Sequence, residues 1–167
     1  INLPETNLLI NRFGKINYRG LRMKVVLALL RNNQPVDRRD IYTLATTDEF
    51  RAELYKELKK LNKASLFPQD MLSQKQLAQS ELYSYATNDD DPPEMITYVA
   101  ERTMTFMGKK QKFFLFKVSY DLLSEGSTYL GVAGPYTLNP KDYNSTQDAT
   151  GVYWDESFDS KKIDEFL

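Results

Sequence analysis

The sequence of 167 residues contains no histidine and no cysteine. The absence of cysteine excludes disulfides, thiolate nucleophiles and cysteine-ligated zinc. The absence of histidine leaves carboxylates, lysine, tyrosine and serine as the side chains that could act in acid–base catalysis at neutral pH. We therefore expect a protein that is not an enzyme and that holds no metal and no cofactor.

The chain also lacks a long apolar run and an excess of either charge. Its longest uninterrupted apolar stretch is Val25–Leu30, whereas a helix that crosses a bilayer needs about 20 such residues. Lysine plus arginine number 22 and aspartate plus glutamate 23, so no overall charge attracts the protein to nucleic acid or to an anionic membrane. We expect no nucleic-acid partner, no membrane insertion and a soluble chain. The cellular location, for which the cytoplasm is favoured, and the oligomeric state stay open.

What the sequence does contain is the composition of a packed globular protein. Hydrophobic residues make up 41% and aromatic residues 13% of the chain, and disordered segments are poor in both. A chain of this length forms one domain or a tight pair of subdomains. Because it begins at Ile1 rather than at a methionine, we expect it to be a piece of a larger protein.

Apolar spacing predicts two helices near the start of the chain. The first covers residues 17–31 and ends at Asn32–Pro35. Its predicted apolar face consists of Leu21, Val25, Ala28 and Leu29. The second runs to Ala45, with Asp37 as its N-cap.

Two capping-box patterns predict two further helices. In the first, the Thr46 hydroxyl is expected to accept from the amide of Glu49, and a helix follows. The apolar face of that helix is expected to contain Phe50, Leu54, Leu58 and Leu61. The second box, Ser73–Gln76, leads into a helix that ends near Ala86. A turn-rich segment with three aspartates and two prolines follows, and we interpret residues 87–94 as a linker.

The second half changes to the alternation of a β-sheet. Residues 96–106 form a predicted strand with one apolar face, made of Ile96, Tyr98, Ala100, Met104 and Phe106. A turn is predicted over Gly108–Gln111, followed by a central strand over Lys112–Tyr120, which is apolar on both faces. Further strands are predicted over residues 128–136 and 152–154, and a helix over residues 157–167.

These elements predict an α+β fold, because the helices and the strands are segregated along the chain. We expect a helical region over residues 1–86, a linker over 87–94, and an antiparallel sheet of three or four strands with a C-terminal helix over 95–167.

Three phrases of the sequence carry a family resemblance. They are Leu66-Phe67-Pro68 followed by Gln76-Leu77-Ala78-Gln79-Ser80, then Pro92-Pro93-Glu94, and finally Tyr129-Leu130-Gly131-Val132-Ala133-Gly134-Pro135-Tyr136. Together they resemble the C-terminal region of uncharacterised bacterial HEAT-repeat-type proteins, over residues 60–140. The resemblance implies a helical hairpin before a small sheet and a scaffold or recognition role. The chain itself shows no repeat of about 40 residues.

Aromatic residues of the second half are the candidate binding residues, because tyrosine and tryptophan are enriched on recognition surfaces. We predict a protein-binding surface made by Tyr129, Tyr136, Tyr143 and Trp154. One alternative is a small-ligand or glycan-binding cleft lined by Tyr129, Tyr136 and Trp154. Another alternative is a hydrolase that works with two carboxylates.

Three lysines near the predicted turn have two interpretations. Lys109, Lys110 and Lys112 lie beside Phe113 and Phe114, a combination of charge and aromatic surface that is also found in single-strand nucleic-acid binders. Lysines at a hairpin tip more often keep a sheet edge soluble. We favour the second interpretation because the chain has no net positive charge.

Overall fold

The computed structural model describes residues 19–87, 92–120, 128–139 and 149–157, with Arg19 and 153–157 described by their backbone alone. The chain divides into two compact units. The helical unit covers Ile1–Leu72 and the sheet unit covers Ser73–Leu167. The sequence had placed the boundary at a linker over 87–94, of which residues 88–91 lie outside the described part.

In its described residues, 19–72, the helical unit contains three α-helices and two short 3₁₀ turns. The α-helices are α1 (Arg19–Arg31), α2 (Arg38–Ala45) and α3 (Asp48–Lys60), and the 3₁₀ turns are Ala64–Leu66 and Gln69–Met71. Each of the three α-helices packs against the other two. Phe50, Leu54 and Leu58 of α3 are buried as predicted, whereas Leu61 is half-buried.

The predicted apolar face of α1 is wrong. The four residues expected there, Leu21, Val25, Ala28 and Leu29, are half-buried or exposed. The buried residues are instead Met23, Val26, Leu27 and Leu30. Because Val25–Leu30 is apolar on every side, its spacing does not single out the face that packs.

Asparagine ends both long helices of this unit. Asn33 after α1 and Asn62 after α3 have positive φ angles of 53° and 56°. The residue after each asparagine donates its N–H to a helix carbonyl, from Gln34 to Leu29 at 2.9 Å and from Lys63 to Leu58 at 2.8 Å. This is the Schellman arrangement, in which a residue in the left-handed conformation satisfies the last carbonyls of the helix.

Helices α2 and α3 begin in different ways. Asp37 is the N-cap of α2, because its carboxylate accepts from the Arg39 amide at 2.9 Å, which confirms the prediction. The predicted capping box at Thr46 is wrong. The hydroxyl of Thr46 donates to the carbonyl of Thr43 at 2.9 Å instead, and the N-cap of α3 is Thr47.

Buried Arg51 joins the end of α2 to the first residue of α3. Its Nε donates to the carbonyl of Ala45 at 2.7 Å, and its side chain forms an ion pair with Asp48 at 2.6 Å. One guanidinium therefore satisfies a carbonyl at the end of α2 and also holds the side chain of the first residue of α3.

In the part that the structure describes, the sheet unit contains one α-helix and a four-stranded sheet. They are α4 (Gln74–Ala86), β1 (Met95–Phe106), β2 (Lys109–Ser119), β3 (Thr128–Tyr136) and β4 (Gly151–Ser157). The strand order is β1-β2-β3-β4, with every neighbouring pair antiparallel. The α+β class is therefore confirmed, and β2 is a central strand as predicted. The C-terminal helix was predicted over residues 157–167. Ser157 is the last residue of β4, and residues 158–167 lie outside the described part.

Helix α4 belongs to the sheet unit and not to the helical unit. It begins as predicted, with the Ser73 hydroxyl accepting from the Gln76 amide at 3.2 Å. It packs on one face of the sheet and shares a core, the helix-side cluster, with three strands. This cluster contains Ala78, Leu82, Ala86, Ile96, Phe114, Phe116, Val118, Ala133 and Tyr136. At Gly131 an added Cβ would lie 2.6 Å from Leu82 Cδ2, so α4 can approach β3 this closely only because glycine has no side chain.

The prediction that β1 has a single apolar face is wrong. The pairing of β1 with β2 shifts between Tyr98 and Ala100, which marks a bulge at Val99. Ile96 therefore packs in the helix-side cluster, whereas Ala100, Met104 and Phe106 pack against a second cluster of Phe113, Leu115, Leu130 and Val132. One extra residue in a strand turns every later side chain to the other face.

Candidate functional site

Tyr136, one of the predicted binding residues, is a core residue. It is 1% exposed, and its ring packs on Phe114 at a centroid distance of 5.4 Å. Its hydroxyl donates to Oε2 of Glu81 on α4 at 2.9 Å. The prediction of a surface role for Tyr136 is therefore corrected: its ring belongs to the contact between α4 and β3 and does not line a cleft.

The environment of Tyr136 keeps its phenol protonated. Burial raises the pKa of Tyr136 far above its ordinary value, and the neighbouring Glu81 carboxylate raises this pKa further through its charge and the hydrogen bond. A second polar contact lies close by, since Gln74 Nε2 donates to the carbonyl of Asn139. These buried polar contacts attach α4 to the end of β3, which is a structural role.

Of the other three predicted aromatic residues, Tyr129 is the one whose side chain the structure describes, and it lies far from Tyr136. Tyr129 is half-buried, and its ring lies edge-on to Tyr120 at 6.0 Å. It stands at the opposite end of β3 from Tyr136, about 23 Å away at the usual rise of a strand. Tyr143 lies outside the described residues, and the backbone of Trp154 lies in β4. The two predicted residues with described side chains, Tyr129 and Tyr136, therefore do not share a surface, and the predicted places of Tyr143 and the Trp154 side chain stay predictions.

Among the described residues of the sheet unit, the most exposed large apolar side chain lies at the tip of the β1–β2 hairpin. The two strands pair from Met95 opposite Ser119 to Phe106 opposite Lys109. Met107 and Gly108 form the turn, with φ angles of 49° and 76°. Two positive φ angles in a two-residue loop define a type I′ turn. The sequence prediction placed this turn at Gly108–Gln111, further along the chain.

Met107 is an unusual residue for this turn. Its side chain is 80% exposed, and its backbone is in the left-handed region that favours glycine, asparagine and aspartate. Met107 therefore exposes an apolar side chain to water and has a strained backbone conformation. Neither property helps the hairpin to fold.

Side-chain contacts hold the hairpin below the tip. The rings of Phe106 and Phe113 lie edge-on at 5.8 Å, and Lys112 forms an ion pair with Glu101 at 3.2 Å. The Lys112 ammonium also lies 5.7 Å from the centroid of the Phe114 ring. Because contacts of these kinds stabilise a hairpin, the two strands are firmly paired below the tip.

The tip also carries a local positive charge. Lys109 and Lys110 follow the turn directly and are both exposed. Within the described part of the chain, no ion pair neutralises either lysine, whereas Lys112 is paired with Glu101. The exposed tip is therefore Met107–Lys110, an apolar side chain beside two positive charges. We call this segment the hairpin tip.

The lysines of the hairpin tip were candidate residues from the sequence, but Met107 was not. The signal was present, because Met107–Gly108 occupies the place where asparagine–glycine is typical of a hairpin. Stacking of Phe113 and Phe114 on bases was the less favoured interpretation, and both residues are buried at 2% exposure.

The helical unit offers a weaker candidate. Tyr42 is exposed on α2, and its hydroxyl donates to Asp70 at 3.1 Å. This hydrogen bond and the charge of Asp70 raise the pKa of Tyr42. The tyrosine is unstrained and its polar end has a partner within the unit, so nothing about its position needs a functional explanation.

The described residues offer neither a metal-binding cluster nor a membrane-crossing helix. These residues contain no cluster of three or more acidic side chains that could hold a metal ion. Within the same ranges, no helix has the length and apolar character to cross a bilayer.

Comparison with protein-family models, curated proteins and solved structures gave no match for this chain. The resemblance to bacterial HEAT-repeat-type proteins therefore stays a prediction. The geometry of the hairpin tip is therefore the observation from which a function can be proposed.

Proposed function

We propose that this chain is a non-enzymatic protein-recognition module and that the hairpin tip, Met107–Lys110, makes the central contact with its partner. The observation that carries the proposal is the position of Met107, which is the most exposed large apolar side chain in the described residues. A scaffold or recognition role is also what the resemblance to HEAT-repeat-type proteins implies.

Backbone strain at Met107 supports a role beyond folding. A residue other than glycine with this φ costs about 1–2 kcal/mol, and asparagine, which hydrogen-bonds locally, would cost less. Strained residues of this kind cluster at sites of function. Since the exposed side chain gives the fold nothing in return, binding is the natural explanation for its presence.

The energy that Met107 could supply on binding is large enough to matter. Burying a methionine side chain contributes about 1.5–3 kcal/mol, which is the size of an interface hot spot. Methionine also adapts its shape to an irregular pocket. Because the paired strands already fix the hairpin, little conformational entropy is lost when a partner binds it.

Site-specific photo-crosslinking tests this proposal. An aliphatic diazirine amino acid, similar in size to methionine, replaces Met107 in the full chain, and the protein is irradiated in an extract of its source cells. The matched control carries the same amino acid at Met95, a partly exposed methionine at the other end of β1.

We expect a crosslinked partner from position 107 that is absent from position 95. Excess unlabelled wild-type protein should suppress this crosslink, and excess M107N protein should not. Equal crosslinking from both positions, or equal competition by both proteins, would contradict the proposal.

A further inference from the structure

We infer that the partner presents an apolar pocket with carboxylates on two sides of its rim. This inference rests on the proposed function, because it describes what the hairpin tip would fit. It follows from the juxtaposition of exposed Met107 with Lys109 and Lys110, the two charged residues beside the turn.

The two lysines point to opposite faces of the hairpin. Lys109 is opposite Phe106 and Lys110 is opposite Thr105, and successive side chains of a strand alternate between the faces of the sheet. Phe106 packs with the second cluster, so Lys109 shares that face, and Lys110 lies on the side of α4. Positive charge therefore flanks the methionine on both sides.

A partner must match this arrangement to bind tightly. The thioether of Met107 needs an apolar pocket. Each lysine ammonium group needs an oxygen acceptor that replaces its hydrogen bonds to the displaced water. A single acidic residue could serve only one face of the hairpin. Carboxylates on both sides of the pocket would serve both lysines and would increase the rate of association.

The charge around the tip is too small for a stable membrane contact. One methionine and two lysines at an anionic bilayer correspond to a dissociation constant on the order of millimolar. Other exposed apolar side chains of the sheet unit, such as Met95, belong to different parts of the fold. A shaped protein pocket gains more from the same three side chains, because it surrounds the methionine completely.

Nucleic acid is also a poor match for the hairpin tip. Specific and non-specific binders commonly make about 6–10 phosphate contacts, and the tip has two unpaired lysines among the described residues. The neighbouring phenylalanines that could have stacked on bases, Phe113 and Phe114, are buried. We therefore assign the tip to an acidic protein surface.

The test uses the diazirine protein of the preceding section and changes the charge of the tip. The variant K109E/K110E is compared with K24E/K59E, which makes the same change of net charge at exposed lysines of the helical unit. Crosslinking from position 107 is measured as NaCl rises from about 50 to about 500 mM. Binding to phosphatidylcholine vesicles that contain about 30% phosphatidylserine is measured in parallel.

We expect the crosslink to fall about tenfold or more in K109E/K110E and at high salt, and to stay within about twofold in K24E/K59E. The partner peptide that is crosslinked should lie next to Asp or Glu residues. A crosslink that persists unchanged in K109E/K110E and at high salt would overturn the acidic rim while leaving protein recognition intact. Charge-dependent vesicle binding without a protein crosslink would overturn both, as would the absence of any crosslink.

Discussion

Replacing Met107 by asparagine is expected to make the protein more stable, although methionine is the natural residue. Met107 has a φ of 49° and is 80% exposed, so the substitution removes backbone strain and loses almost no packing. Asparagine followed by glycine is the preferred sequence for the type I′ turn seen here.

The expected gain is about 1 kcal/mol in the free energy of unfolding, which is the lower end of the cost of left-handed backbone for an ordinary side chain. For a domain of the size of the sheet unit, this corresponds to a melting temperature higher by about 4–8 °C. Thermal unfolding followed by circular dichroism and urea titration followed by fluorescence would both report the change.

The matched control is M95N. Met95 lies in β1 with extended backbone and is less exposed than Met107, and asparagine is disfavoured in strands. We expect M95N to be neutral or destabilising. If M107N lowers the melting temperature, or leaves it unchanged, then Met107 supports the fold and the argument for a binding role fails.

Three further predictions concern the sheet unit. Burial raises the pKa of Tyr136 above its ordinary value, which is about 10, so the protonated phenol stabilises the fold fully below pH ~10 and this stabilisation is lost as the pH rises further. Urea titrations should therefore show an unfolding free energy that falls above pH ~10. The fall should be steeper in wild type than in Y136F by up to about 1.4 kcal/mol per pH unit. The variant G131A should lose about 1–3 kcal/mol of stability, because its Cβ would lie 2.6 Å from a leucine methyl carbon of α4. The control G151A should be near neutral, since nothing lies within 4 Å of its Cβ. Equal effects in the two variants would contradict the packing described. Dilute hydrogen peroxide should oxidise Met107 to the sulfoxide well before Met23, which is 4% exposed, as read by peptide mass spectrometry. The oxidised wild-type protein should then suppress the crosslink from position 107 less well than unoxidised wild-type protein, because the sulfoxide is polar.

Local signals in the sequence predicted where several elements begin and end. Asp37 and Ser73 are N-caps as expected, because capping depends on residues within one turn of the helix. Thr46 has the same pattern but does not cap α3. Its hydroxyl bonds to Thr43 instead, and Arg51 reaches back across the turn to the carbonyl of Ala45. That outcome depends on how α2 and α3 pack, which a local pattern does not contain.

The faces of the elements were harder to predict than their existence. The run Val25–Leu30 is apolar all round, so packing alone decides which side of α1 is buried. In β1, the bulge at Val99 divides an apparently continuous apolar face between two clusters. A bulge is a property of the pairing with β2 and has no marker in the alternation of β1 itself.

The candidate site moved from the aromatic residues to the hairpin tip. Tyrosine suits both interfaces and cores, because it combines a large ring with a polar end, so the sequence did not distinguish buried Tyr136 from a surface residue. The lysines of the tip were visible in the sequence. The proposed role of Met107 depends on the turn conformation and on the exposure of its side chain, and the sequence alone establishes neither.

The most direct test of the central claim is the affinity of the purified, crosslink-identified partner for wild-type protein and for M107N. Because M107N is expected to be fully folded, a loss of binding cannot come from unfolding. Isothermal titration should give a dissociation constant about 30-fold higher for M107N than for wild type, which is the effect of losing one hot-spot side chain. Equal dissociation constants for the two proteins would contradict the assignment of the hairpin tip as the recognition site.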